Sequence, residues 1–191
     1  DEHEDEHADD DHDHGDVDPH VWHDPANVQV MVTNIASALA AAFPEQAATF
    51  EERAAAYRAR LDEVDAEIRA LIDSIPAEHR KVVSSHDSLG YFLDRYGLEF
   101  VGAVIPATSG DAEASARDIA QLQETIRAEG VRAIFAEGSV DARVARQVAA
   151  DTGVAIVNDL YGDTLGEAGS GAETVHGMLL HNARRIAEAL R

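Results

Sequence analysis

The sequence predicts an α/β fold: a lobe built on a parallel four-stranded sheet with flanking helices, preceded by one long helix. Two observations predict it. From residue 81 onward, short β-branched runs alternate with stretches of helical apolar period. Such alternation builds a parallel sheet covered by helices on both faces. Ahead of it, Phe50, Ala54, Tyr57, Leu61, Val64, Ile68, Leu71 and Ile75 recur every three or four positions, the spacing of one helix face.

The elements follow in order. Residues 1–16 are acidic, of low complexity and without aromatics, a composition that cannot bury enough apolar surface to order itself without a ligand. Asp24-Pro25 opens a helix, with Asp as N-cap and Pro at the first position. It runs to about Phe43 and carries Val28, Met31, Val32, Ile35 and Leu39 on one face. Pro44 starts the long helix, about 40 Å at 1.5 Å per residue, enough to cross a domain or to join two. Strands are expected at 81–85, 99–105, 133–136 and 154–157. Helices are expected at 88–96, 113–129, 141–151 and 172–190, the first closed by Gly97 and the second by Gly130. Residues 106–112 and 164–171 read as surface loops.

Composition narrows the function. The chain has 191 residues, 45% of them hydrophobic, and a formal charge of −22. About half of that charge lies in residues 1–18. This field repels phosphates and anionic lipid headgroups, which argues against nucleic acid and membrane surfaces as partners, and it attracts cations. There is no cysteine and no apolar run long enough to span a bilayer. There is no signal peptide and no initiator methionine, so the chain reads as a fragment or a processed product.

The chemistry concentrates in histidines and acids. His3, His7, His12 and His14 stand among acids in the tail, followed by Asp18-Pro-His-Val-Trp-His-Asp-Pro25. Imidazole and carboxylate are what a borderline divalent cation accepts where no thiolate is offered, and zinc is the first candidate. The tail reads as a weak, multi-site metal collector. In a parallel sheet, ligands sit at the carboxyl ends of the strands. His86 follows the first strand there and Asp163 follows the fourth. His20 sits on a stiff Asp-Pro-His segment. His23, its close neighbour on the opposite face of an extended stretch, is expected at the surface, as are His79, His176 and His181. Asp87 is expected to cap the next helix or to support a ligand. Ser84, Ser85, His86 and Asp87 include the residue types of a catalytic triad, but neighbours along a strand do not converge as nucleophile, base and orienter. The chain has no G-x-S-x-G elbow, H-E-x-x-H helix, P-loop or G-x-G-x-x-G.

Five segments then resemble a known family: Asp18 to Pro25 with the long helix after it, Ser85-His-Asp-Ser-Leu-Gly-Tyr-Phe92, Gly102-Ala-Val-Ile-Pro106, Leu160-Tyr-Gly-Asp-Thr-Leu-Gly166, and Gly177-Met178. They occur in this order in the metal-specific solute-binding proteins of bacterial ABC importers, the ZnuA/TroA-like group. The resemblance covers residues 17–191. It implies two α/β lobes joined by a rigid helix, with metal between them. Residues 1–16 would be a disordered His/acid-rich loop, 17–44 the end of the first lobe, 45–75 the inter-lobe helix and 76–191 the carboxyl-terminal lobe, with the amino-terminal lobe mostly absent from this chain. It carries a ligand role to His20, His86 and Asp163. It implies a fourth ligand, a histidine, in the absent region.

Three histidines and one carboxylate make a tetrahedral zinc site, and a histidine at position 86, where manganese-selective members tend to carry a carboxylate, favours zinc. The implied protein is a periplasmic or membrane-anchored monomer. It captures Zn2+, with a zinc chaperone as a candidate donor, delivers it to an ABC permease and catalyses no covalent change. Binding should weaken below about pH 6 as histidines protonate. A manganese importer subunit of the same fold is the alternative. A zinc hydrolase is a further rival, and it would need a base for which only Asp87 stands near.

Overall fold

The computed structural model describes residues 17–105, 114–138 and 142–191. The expected collecting loop, residues 1–16, lies outside them, as does the loop expected at 106–112. Ten elements follow: α1 Pro25–Ala42, α2 Ala47–Asp73, β1 Lys81–His86, α3 Gly90–Tyr96, β2 Glu99–Ile105, α4 Ala116–Glu129, β3 Ala133–Glu137, α5 Arg143–Thr152, β4 Ala155–Leu160 and α6 Val175–Leu190. All sheet pairings are parallel, in the order β2-β1-β3-β4.

Local chemistry sets the boundaries. Asp24 accepts from the Ala26 amide at 2.7 Å with Pro25 behind it, which opens α1. Ser115 and Asp118 form a reciprocal capping box at α4. That cap starts the helix later than the apolar period alone suggests. Gly97 and Gly130 adopt the left-handed conformation that ends α3 and α4. β4 runs three residues beyond the expected 157, because Leu160 still pairs with Glu137 of β3.

Alternation along the strands divides the core in two, since successive side chains leave a strand on opposite faces. Val82, Ala133 and Phe135 pack under α2, α3 and α6 with Ile68, Phe92 and Ile186. Val83, Ile134 and Ala136 pack under α4 and α5 with Ile126 and Val148. Helix α2 buries Ala54, Leu61, Val64, Ile68 and Ile72. Its Ile72 takes the place expected of Leu71, which is only partly buried.

α1 has the expected extent but leaves most of its apolar side uncovered. Of its apolar face only Val28 is buried, while Met31, Ile35 and Leu39 are exposed. The reason is its placement: α1 packs chiefly on α2, and among the described residues nothing covers its outer side. An apolar groove of about 280 Å³ runs there, lined by Val32, Ile35, Leu39 and Phe50 among others.

One polar network ties α1, α2 and α3 together. Arg95 donates to both oxygens of Asp65, each at 2.9 Å, and reaches Asp24 at 3.0 Å. Tyr96 also donates to Asp65, at 2.8 Å. Burial pushes the Asp65 carboxyl up, but the Arg95 and Tyr96 hydrogen bonds outweigh it and hold the pKa below the ordinary value. Asp65→Asn should therefore cost about 2 kcal/mol, the range for a hydrogen-bonded charge. At about 2–4 °C per kcal/mol for a chain of this size, melting should drop by about 4–8 °C. An unchanged melting temperature would show that the network contributes nothing net.

A candidate metal centre

The site follows from the sheet order. The chain leaves β1 for β2 on one side, then crosses to β3 on the other. A crevice therefore opens at the carboxyl ends of β1 and β3, the usual ligand position in open α/β sheets. Ser84 stands opposite Phe135 in the parallel pairing, so the last residues of the two strands, His86 and Glu137, end side by side.

His86 is fully buried, and its Nδ1 lies 3.2 Å from Glu137 Oε1. The serines around it hold the strand end. Ser84 donates to the His86 carbonyl at 2.6 Å, and Ser85 Oγ accepts from the Glu137 amide at 3.4 Å. Neither is a nucleophile facing a base. His20 comes from the turn ahead of α1 and is 3% exposed. Asp18 Oδ1 fixes it twice, at 2.9 Å from its amide and 2.7 Å from Nδ1. Its Nε2 is left facing Asp163, 3.5 Å away. The imidazoles of His20 and His86 meet edge to face, 5.5 Å apart. Asp163 is half exposed, in the loop after β4.

One ligand atom from each of His20, His86 and Asp163 falls within a 4.8 Å span, and this is the group among the described residues that could hold a metal ion. The structure thus brings together all three residues singled out from sequence. Trp22 secures the arrangement: its indole N–H donates to the Gly162 carbonyl at 2.9 Å, tying the segment of His20 to the loop of Asp163.

Two expectations are corrected. His23 is not a surface residue; it is 0% exposed, with neither ring nitrogen hydrogen-bonded. The turn Val21–His23 is a 3-10 helix rather than an extended stretch, so alternation does not apply and the ring turns inward. Burial lowers its pKa to about 4, against the pull of Glu137. Of the two roles expected for Asp87 only capping is overturned: α3 begins at Gly90 with Leu89 at its N-cap and no side-chain cap. Burial and the Asp18 charge push its carboxyl up. Among the described residues, the other histidines stay apart from the cluster. His79 contacts the Leu190 carbonyl, His176 packs on Tyr57, and His181 donates to the Asp159 carbonyl.

Sequence reasoning missed Glu137. It is 2% exposed and accepts from Ser88 Oγ at 2.5 Å. Burial raises its pKa, but hydrogen bonds from His86 and Ser88 bring it below the ordinary value. For His86 burial lowers the pKa and Glu137 more than reverses that. The available signal was positional: an acid at the carboxyl end of the strand across the switch point. Glu137 also explains Gly162, where a Cβ would lie 1.7 Å from Oε2. Gly162→Ala should force that carboxylate aside and weaken metal binding about 10–100-fold, the usual effect of disturbing groups behind the ligands. Chelator competition measures it, and unchanged affinity would mean that the loop yields instead.

Fold and site together define a class: an α/β lobe with a candidate metal-ligand cluster at the topological switch point. The model of the family described as zinc-uptake complex component A, periplasmic (ZnuA), matches residues 1–189, and the chain belongs to that family. It is 34% identical over 178 residues to the zinc-binding protein TroA of Treponema pallidum, covering 91% of this chain and 57% of that one. It is 32% identical over 179 residues to the manganese-binding lipoprotein MntA of Bacillus subtilis, covering 91% and 58%. The solved TroA structure superposes with a TM-score of 0.85 over 91% of this chain and 64% of that one. A manganese-bound periplasmic metal-binding protein from Candidatus Liberibacter asiaticus gives 0.81 at 26% identity, over 91% and 64%. The chain spans a little over half the length of these two sequence relatives.

Proposed function

We propose that this protein captures a divalent transition-metal ion outside the cytoplasmic membrane and hands it to an ABC permease, with Zn2+ as its cargo. The observation that carries this is the convergence of His20, His86 and Asp163 within 4.8 Å. Support comes from the family and from relatives named as zinc- and manganese-binding proteins. His20, His86 and Asp163 are the ligands this chain contributes. In this reading α2 joins the lobe of residues 76–191 to another lobe that supplies a further histidine, and residues 1–16 gather zinc nearby. The location is the periplasm or the outer face of the cytoplasmic membrane, and no described helix is long and apolar enough to cross a membrane.

Zinc is preferred over manganese on ligand chemistry. Two imidazoles and one carboxylate suit a borderline ion, whereas manganese favours oxygen-rich sites. The protein binds and releases the ion without changing it.

The test is a chelator-competition titration with Zn2+ and Mn2+ on the same protein. One tight site that prefers Zn2+, and that is lost on replacing His20, supports the reading. Preference for Mn2+ at that site would keep the transport role and replace the cargo. Binding indifferent to His20, His86 and Asp163 would sink the assignment.

A further inference from the structure

Glu137 stands outside the ligand set, yet three observations meet on it. It is 2% exposed, where a carboxylate is almost never left without a partner. Its Oε1 takes the Ser88 hydroxyl and lies 3.2 Å from His86 Nδ1, a buried nitrogen with no other partner. Its Oε2 has no hydrogen-bond partner and occupies the space that a Gly162 side chain would need. The carboxylate therefore lies under both the strand end that carries His86 and the loop that carries Asp163.

An ionised carboxylate only accepts hydrogen bonds. Facing it, an imidazole is stable with hydrogen on Nδ1; the opposite tautomer would set two lone pairs against each other at 3.2 Å. That leaves the Nε2 lone pair of His86 free. The same logic holds for His20, whose Nδ1 meets Asp18 while Nε2 faces Asp163. Carboxylates behind metal-binding imidazoles act in this way, fixing the tautomer and the ring orientation. We propose that Glu137 is the positioning residue of this site: its carboxylate holds His86 in the Nδ1–H tautomer and so presents Nε2 to the metal ion. The step from tautomer to affinity rests on the metal-capture reading; the tautomer itself does not.

Nitrogen-15 NMR of the metal-free protein tests this, at a pH high enough to keep His86 neutral and with its signals assigned by their loss in His86→Ala. The wild type should show the Nδ1–H tautomer, and an Nε2–H tautomer overturns the proposal even if every variant fails to fold. In Glu137→Leu, close to it in volume, an Nδ1–H of His86 has no carboxylate to donate to, and an unassisted neutral imidazole favours Nε2–H. The tautomer should move towards Nε2–H, and Zn2+ affinity by chelator competition should fall about 10–100-fold. An affinity loss with the tautomer unchanged would make Glu137 merely structural and overturn the proposal, as would unchanged affinity beside a shifted tautomer. If the wild type shows Nδ1–H but binds neither Zn2+ nor Mn2+, the functional reading fails while the hold of Glu137 on His86 stands.

Discussion

Replacing His86 by alanine should lower Zn2+ affinity on the order of a thousandfold, since disturbing groups behind a ligand alone costs about 10–100-fold. The position explains the size of the effect. His86 is fully buried at the end of β1 and lies against the His20 ring, so its loss removes one of the two enclosed imidazole donors. Truncation leaves His20 and a half-exposed Asp163, a pair with no enclosing geometry. It also leaves the buried Glu137 without its imidazole, so some loss of stability should accompany the loss of binding. The metal-free melting temperature separates the two effects. Competition titration of wild type against His86→Ala checks the prediction, and a change of less than tenfold would place the metal elsewhere.

The second large effect concerns pH. His23 is buried and titrates at about 4 in the fold, against an ordinary 6.5. As pH falls below 6.5 the unfolded chain takes up this proton and the folded chain does not, so stability drops. The slope from this group approaches about 1.4 kcal/mol per pH unit, summing to about 3 kcal/mol by pH 4. His176, also lowered by burial though less enclosed, acts in the same direction. His86 acts elsewhere: its raised pKa adds stability that is complete below 6.5 and is lost as pH rises through the folded value. The carboxyl of Glu137, held low, loses its contribution only below the ordinary carboxylate range.

Replacing His23 by leucine, close to it in volume, should remove its share of the acid slope. It should also stabilise the metal-free protein by about 1–3 kcal/mol at pH 7.5, because two unpaired buried nitrogens disappear. Urea denaturation at several pH values measures this. Parallel curves for wild type and His23→Leu would show that His23 finds a polar partner in solution.

Much of the architecture was legible before any coordinates. Strands and helices alternate with distinct periods, and Gly97, Gly130 and the Asp24-Pro25 cap mark ends by local backbone chemistry. Segment order also pointed to His20, His86 and Asp163. Each stands beside a local landmark: a stiff Asp-Pro, a strand end, a Gly-flanked loop. The errors occurred where local and tertiary rules part. His23 was misplaced because alternation was applied to a segment that winds into a 3-10 turn. The apolar side of α1 shows the limit of periodicity, which reports which residues share a side, not whether anything covers it.

The sequence by itself determined the α/β class and the long helix, because these depend on short-range period and capping; it named three candidate ligands by residue type together with a family resemblance. Only the tertiary structure decided that Glu137 backs His86, that Trp22 fastens the segment of His20 to the loop of Asp163, and that Gly162 must lack a side chain. These are contacts between residues from 25 to 140 positions apart, and they exist only once the crossover from β1 to β3 brings two strand ends together. Sequence spacing carries no record of that distance; the sheet order does.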